Sequence, residues 1–134
     1  MAELKAMPYV EGWGGWKNQL GNITAPTFWR GVSVTALTEL AGGGSSIVAV
    51  ASDGYEQPFS AGELGGAIAM YDPATGDTVS TIGGNLLAIV AYAENGAAIG
   101  SGQGPLRIAF VSPGKDQVTD GGKWVKWVVE LRVN

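Results

Sequence analysis

The chain has 134 residues, 46% of them apolar, with twelve acidic against eight basic side chains and a net charge of −4. That length and apolar content suffice for one domain, 1–134, with a real core, and the acidity argues against nucleic acid as a partner. Cysteine and histidine are both absent, which removes disulfides, thiolate metal ligands, a cysteine nucleophile and the commonest general base.

Residues 3–7 read as the end of a short helix, stopped by Pro8. No basic segment precedes an apolar run there, and no stretch reaches the roughly 18 apolar residues of a membrane span. The chain as given is therefore expected to stay in the cytoplasm unless it is cut from an exported parent. Residues 9–31 are rich in Gly and aromatics without a period, and a long ordered loop is expected. Inside it, Asn22-Ile23-Thr24 is a glycosylation sequon, of consequence only in an exported protein. Residues 33–41 read as a helix with Ser33 as N-cap, an apolar face of Val34, Leu37, Leu40 and Ala41, and a stop at Gly42-Gly43-Gly44.

Two apolar runs, 46–52 and 55–59, flank Asp53-Gly54, a two-residue hairpin signal, and Pro58 puts the second strand at a sheet edge. Ser60 and Glu63 have capping-box spacing, opening a short helix through Leu64. Asp72-Pro73-Ala74-Thr75-Gly76-Asp77 is a turn. The run 86–92 leads to a second hairpin turn at Asn95-Gly96, with 97–99 returning. Residues 106–111 read as a strand and 114–122 as a polar loop. Residues 123–133 alternate, with Val125, Trp127, Val129, Leu131 and Val133 on one face and Lys126, Glu130 and Arg132 on the other. The sum is an α+β domain of mainly antiparallel strands with two or three short helices.

Five of the eight basic residues, Arg107, Lys115, Lys123, Lys126 and Arg132, fall in the last 28 positions. They are either a solvated strand face or the seat of an anionic small molecule. Gly12-Trp13-Gly14-Gly15 lacks the Lys-Ser/Thr ending of a phosphate loop. Gly100-Ser101-Gly102-Gln103-Gly104 precedes a strand, so it is no dinucleotide fingerprint. Ser33 and Ser60 have no base to activate them. Trp127 falls on the apolar face and reads as core. Trp124 falls on the face of Lys126, where it either stacks on a flat heterocycle or shields the core. Trp13 and Trp16 are expected to cluster under their Gly-rich loop. Asp53 and Gly54 read as turn chemistry, Tyr55 as packing, and nothing places Glu11 or Glu56 near a site.

Several short motifs stand in a fixed order. Trp29-Arg30-Gly31-Val32 precedes a helix, and Ser52-Asp53-Gly54-Tyr55 is followed by Phe59-Ser60 and Glu63-Leu64. Then come Asn95-Gly96, Gly104-Pro105-Leu106-Arg107, Pro113-Gly114-Lys115, and Gly122-Lys123-Trp124-Val125-Lys126-Trp127. Over about residues 29–133 this series resembles the oxidoreductase molybdopterin-binding domain of the sulfite-oxidase-like family. The resemblance implies that family's α+β fold, a molybdopterin-type cofactor, and Arg107, Lys123, Trp124, Lys126 and Lys115 as cofactor-binding residues.

The departures shape the functional expectation. The family's metal-ligating cysteine is missing, and Tyr9-Val10-Glu11-Gly12-Trp13 stands roughly where it is expected. Trp124 replaces a small polar residue or histidine, and an N-terminal strand is missing. The expectation is a binding module for an anionic pterin-type ligand without redox catalysis of its own. The alternative is a structural or interaction domain of a longer parent that kept the fold and lost the cofactor. An active molybdenum or tungsten enzyme with a non-cysteine ligand ranks last.

Overall fold

The computed structural model describes residues 6–18, 20–40, 42, 46–80, 86–100 and 102–133. Strands β1 (Val10–Lys17) and β2 (Ile23–Ser33) are followed by helix α1 (Val34–Leu40). Next come β3 (Ser46–Ala51), β4 (Glu56–Ser60) and helix α2 (Ala61–Leu64). Two-residue strands β5 (Met70–Tyr71) and β6 (Thr78–Val79) lead to β7 (Leu87–Glu94), β8 (Ala97–Ala98) and β9 (Arg107–Val111). Finally β10 (Val118–Asp120), a 3-10 turn at Gly121–Lys123 and β11 (Val128–Val133) complete the order.

Eight strands form a curled mixed sheet in the order β6-β5-β10-β1-β2-β7-β8, with β9 added against β7, and β11-β3-β4 form a second sheet. Among the described residues only β1 and β10 pair in parallel. The sheets join where β9 meets the run into β11: Ile108 N donates to Val125 O and Val128 N to Leu106 O, both at 2.9 Å. Ile47, Phe59, Ile89, Ile108 and Phe110 fill the space between them.

This corrects the α+β expectation to a mostly β architecture. The helices of the described residues are 7 and 4 residues long, one or two turns each, too short to form a layer of their own. Residues 3–5 of the expected first helix lie outside the described residues. In α1 the buried positions are Val34 and Thr38, while Leu40 is 72% exposed. Val34 and Leu37 of the expected apolar face thus meet the core, and Leu40 does not; Ala41, Gly43 and Gly44 lie outside the described residues.

The larger correction is at residues 9–31, which form the β1–β2 hairpin rather than a loop. Glycine counts against a strand by propensity. Here it is required by neighbours: a Cβ on Gly14 would collide with Phe110 O, and one on Gly15 with Thr24 O. The bare backbone also lets Trp29 Nε1 donate to Gly14 O at 2.9 Å. Likewise the expected polar loop 114–122 contains β10, whose Val118 and Thr119 are buried beside Gln117.

Both predicted hairpins form. At Asn95-Gly96 both residues have positive φ, 51° and 81°, as a two-residue type I′ turn demands. At Asp53-Gly54 the loop has three residues instead: Gly54 N donates to Ala51 O, Ala51 N to Tyr55 O, and only Gly54 is left-handed. That is a type I turn closed by a glycine bulge. Pro58 lies in β4, an edge strand as expected. The strand expected over 123–133 begins only at Val128. Gly121–Lys123 winds as a 3-10 turn, Trp127 takes φ 54°, and a bulge lies between Val128 and Glu130. The predicted two-face alternation is lost: Trp124 and Val125 are both buried, and Val129 is 65% exposed.

Candidate functional site

Arg107 opens β9, a strand buried at every position. Its guanidinium lies 4.7 Å from the Trp16 ring, 5.3 Å from Trp124 and 5.7 Å from Trp29. It donates to Gln103 Oε1 and, at 2.8 Å, to Trp124 O, while Nε is buried without a partner. Desolvation lowers its pKa to about 10, opposed by the distant Glu94 carboxylate. Arg107 therefore stays charged at neutral pH inside an aromatic cage. Trp124, only 3% exposed, is held in that cage by its own Nε1, which donates to Thr119 Oγ1 at 2.7 Å.

The lysines are dispersed. Lys123 Nζ pairs with Glu63 at 2.8 Å and lies 5.5 Å from the Phe59 ring. Glu63 also closes the capping box of α2, with Oε1 accepting from Ser60 N and Ser60 Oγ from Glu63 N. The hydrogen bond from Lys123 is the main cause of the lowered Glu63 pKa, followed by that from the Ser60 backbone. Lys115 caps the Trp13 ring at 4.0 Å, at the middle of β1. Lys126 is exposed, 5.0 Å from the Trp127 ring, and no carboxylate among the described residues forms an ion pair with it.

Two of the five expected residues do meet at one cleft. A depression of about 290 Å³ opens between the β3–β4 turn, with Asp53 and Tyr55, and the 121–127 segment, with Gly122, Trp124, Lys126 and Trp127. Arg107 stands behind Trp124, Lys123 turns toward α2, and Lys115 is elsewhere. From sequence alone Asp53 reads as a turn residue and Tyr55 and Trp127 as packing residues. The Asp-Gly-Tyr motif was the available signal for the first two. Nothing in the alternation announced the left-handed Trp127 that brings its ring to the cleft.

The cleft offers a carboxylate, an ammonium, a phenol that donates to Gln57 Oε1 at 2.9 Å, and indole surface. It offers no metal centre: among the described residues no three Asp or Glu side chains are close enough to hold an ion. With cysteine and histidine absent from the sequence, the metal of a molybdopterin-type cofactor does not fit here. Nor is any helix of the described residues long and apolar enough to cross a membrane. No protein-family model matches the chain, and no curated protein matches it.

Proposed function

We propose that this chain is a binding module that holds a flat, anionic heterocycle of pterin type and performs no redox chemistry of its own. The observation that carries the reading is the cleft that brings Trp124 and Lys126 together with Asp53, Tyr55 and Trp127. A pterin presents an amino–imino edge that donates two hydrogen bonds, and the Asp53 carboxylate accepts such an edge. Tyr55 and Trp127 supply ring surface, and Lys126 supplies charge to a phosphate. Arg107 and Lys123 act behind the cleft, through Trp124 and α2.

Calorimetric titration with a 6-substituted pterin phosphate tests this. Binding should be saturable, and Lys126→Ala should weaken it roughly tenfold or more, since a charge-assisted contact contributes about 1.5–3 kcal/mol. Asp53→Asn should weaken it as well. Absence of binding, or binding that both variants leave unchanged, overturns the proposal.

One observation favours the interaction-domain alternative. Val129 is 65% exposed, and an apolar groove of about 150 Å³ runs beside it between Leu37 and Leu106. Such a patch suits contact with another domain of a longer parent.

A further inference from the structure

A second depression shares no lining residue with the cleft. Its volume is about 390 Å³, and Phe28 and Arg30 of β2, Tyr92 of β7 and the small residues of the β7–β8 turn enclose it. That volume lies in the range of roughly 300–1,000 Å³ typical of small-molecule sites. Its wall is pinned in place: Asn95 N donates to Phe28 O at 2.6 Å and Phe28 N to Asn95 Oδ1 at 3.1 Å.

The rim is unusual for the outer side of a sheet. Gly12, Gly14, Trp29 and Gly31 are buried on the core side of β1 and β2. Trp13 pairs with Phe28, and Glu11 with Arg30, on the other side. A solvated sheet face is ordinarily polar, yet this one carries Trp13 and Phe28 in edge contact at 5.1 Å. Beside them Tyr9, 55% exposed, lies 4.3 Å below the Arg30 guanidinium. Arg30 Nε and Nη2 both donate to Glu11 Oε1.

The chemistry discriminates between ligand classes. Arg30 is already neutralised by Glu11, the other cation of this face, Lys115, sits over the Trp13 ring and not among the lining residues, and the chain is acidic overall, all of which disfavours an anion. A guanidinium and a carboxylate side by side instead present a donor and an acceptor together. Neighbouring hydroxyl groups, each both donor and acceptor, match such a pair. Aromatic rings beside it offer apolar surface to the C–H faces of a sugar ring.

We propose that this depression, with the Tyr9–Arg30–Glu11 stack on its rim, is a saccharide-binding site for a neutral pyranose chain. Calorimetry on the intact protein with cellohexaose, xylohexaose and mannohexaose, and with a twelve-residue oligothymidylate as polyanion, tests it. At least one neutral oligosaccharide should bind saturably. Tyr9→Ala and Arg30→Gln should each weaken that binding at least tenfold with an unchanged circular dichroism spectrum. Lys126→Ala, on the other cleft, should leave it unaltered, so failure here is distinct from failure of the pterin reading. The proposal is overturned if none of the three oligosaccharides binds, if only the oligothymidylate binds, or if both rim variants bind as the unsubstituted protein does. Glu11→Gln removes the ion pair without truncating a ring; unchanged sugar binding in that variant also counts against it.

Discussion

Arg107 carries a full charge into the most aromatic part of the core, and among the described residues no carboxylate pairs with it. The cage of Trp16, Trp29 and Trp124 and the acceptors Gln103 Oε1 and Trp124 O offset part of that cost. The lowered pKa follows from the desolvation that remains. Because the folded value lies below the ordinary one, the penalty is fully present at neutral pH. It is relieved only as pH rises above about 10, toward the ordinary arginine range. Filling the cage therefore matters more than charging it. Arg107→Ala should destabilise by about 3 kcal/mol, through the cavity and the abandoned carbonyl. Arg107→Met, which fills the space without charge, should lose less than half of that. Urea denaturation followed by tryptophan emission measures both, and equal losses would show that the cage needs the cation itself. The sequence placed Arg107 on a strand but gave no means of choosing inside from outside. Every residue of β9 is buried, so there is no alternation to read.

Elements were legible where local chemistry alone decides them. The left-handed Asn95-Gly96 pair, the turn at Asp53-Gly54 (though not its bulge), Pro58 at an edge and the Ser60–Glu63 box all depend on neighbours in sequence. They were hidden where a partner distant in sequence decides, as with the glycines of β1 and the left-handed Trp127, whose N–H reaches Gln103 O at 3.0 Å. The candidate cleft was legible to the same extent. Its Trp124 and Lys126 lie in a recognisable segment, but which basic residues face solvent depends on how that segment unwinds before β11. Helix α2 lets this be tested at one element. Ser60→Ala should cost about 1 kcal/mol by removing the cap. Glu63 has a folded pKa below its unfolded value of about 4.3, so its contribution is present above that pH and lost as pH falls through the folded value. Glu63→Gln keeps an acceptor for Ser60 N but cannot titrate. Between about pH 6 and pH 3 the urea midpoint should therefore fall less in Glu63→Gln than in the unsubstituted protein.

At the scale of the whole molecule, the sheet curls until Ser112, just after β9, bridges to Trp13 of β1, and this closure brings strands nearer to one another than side chains allow. Gly14 lies against Phe110 O of β9 and the Trp124 ring, and Gly31 against Val90 O of β7, beside the bulge between Arg30 and Gly31. These two approaches set where β1 and β7 stand around β2. They thereby set the separation of the Arg107 cage on the inner side from the Arg30 rim on the outer. A methyl group at either position meets backbone, which cannot swing away as a side-chain tip can. Gly14→Ala and Gly31→Ala should each destabilise by about 3 kcal/mol. Gly14→Ala should also shift tryptophan emission, because it presses directly on Trp124. Gly100→Ala is the control: it has ordinary φ and nothing within 4 Å of an added Cβ, so its effect should stay within about 0.5 kcal/mol. Thermal unfolding of the three variants separates the two cases. If Gly14→Ala melts with Gly100→Ala, the approach of β1 to β9 is not what holds the sheet closed. The aromatic cage would then have to hold it instead, and Arg107→Ala, rather than the glycine variants, should open the sheet.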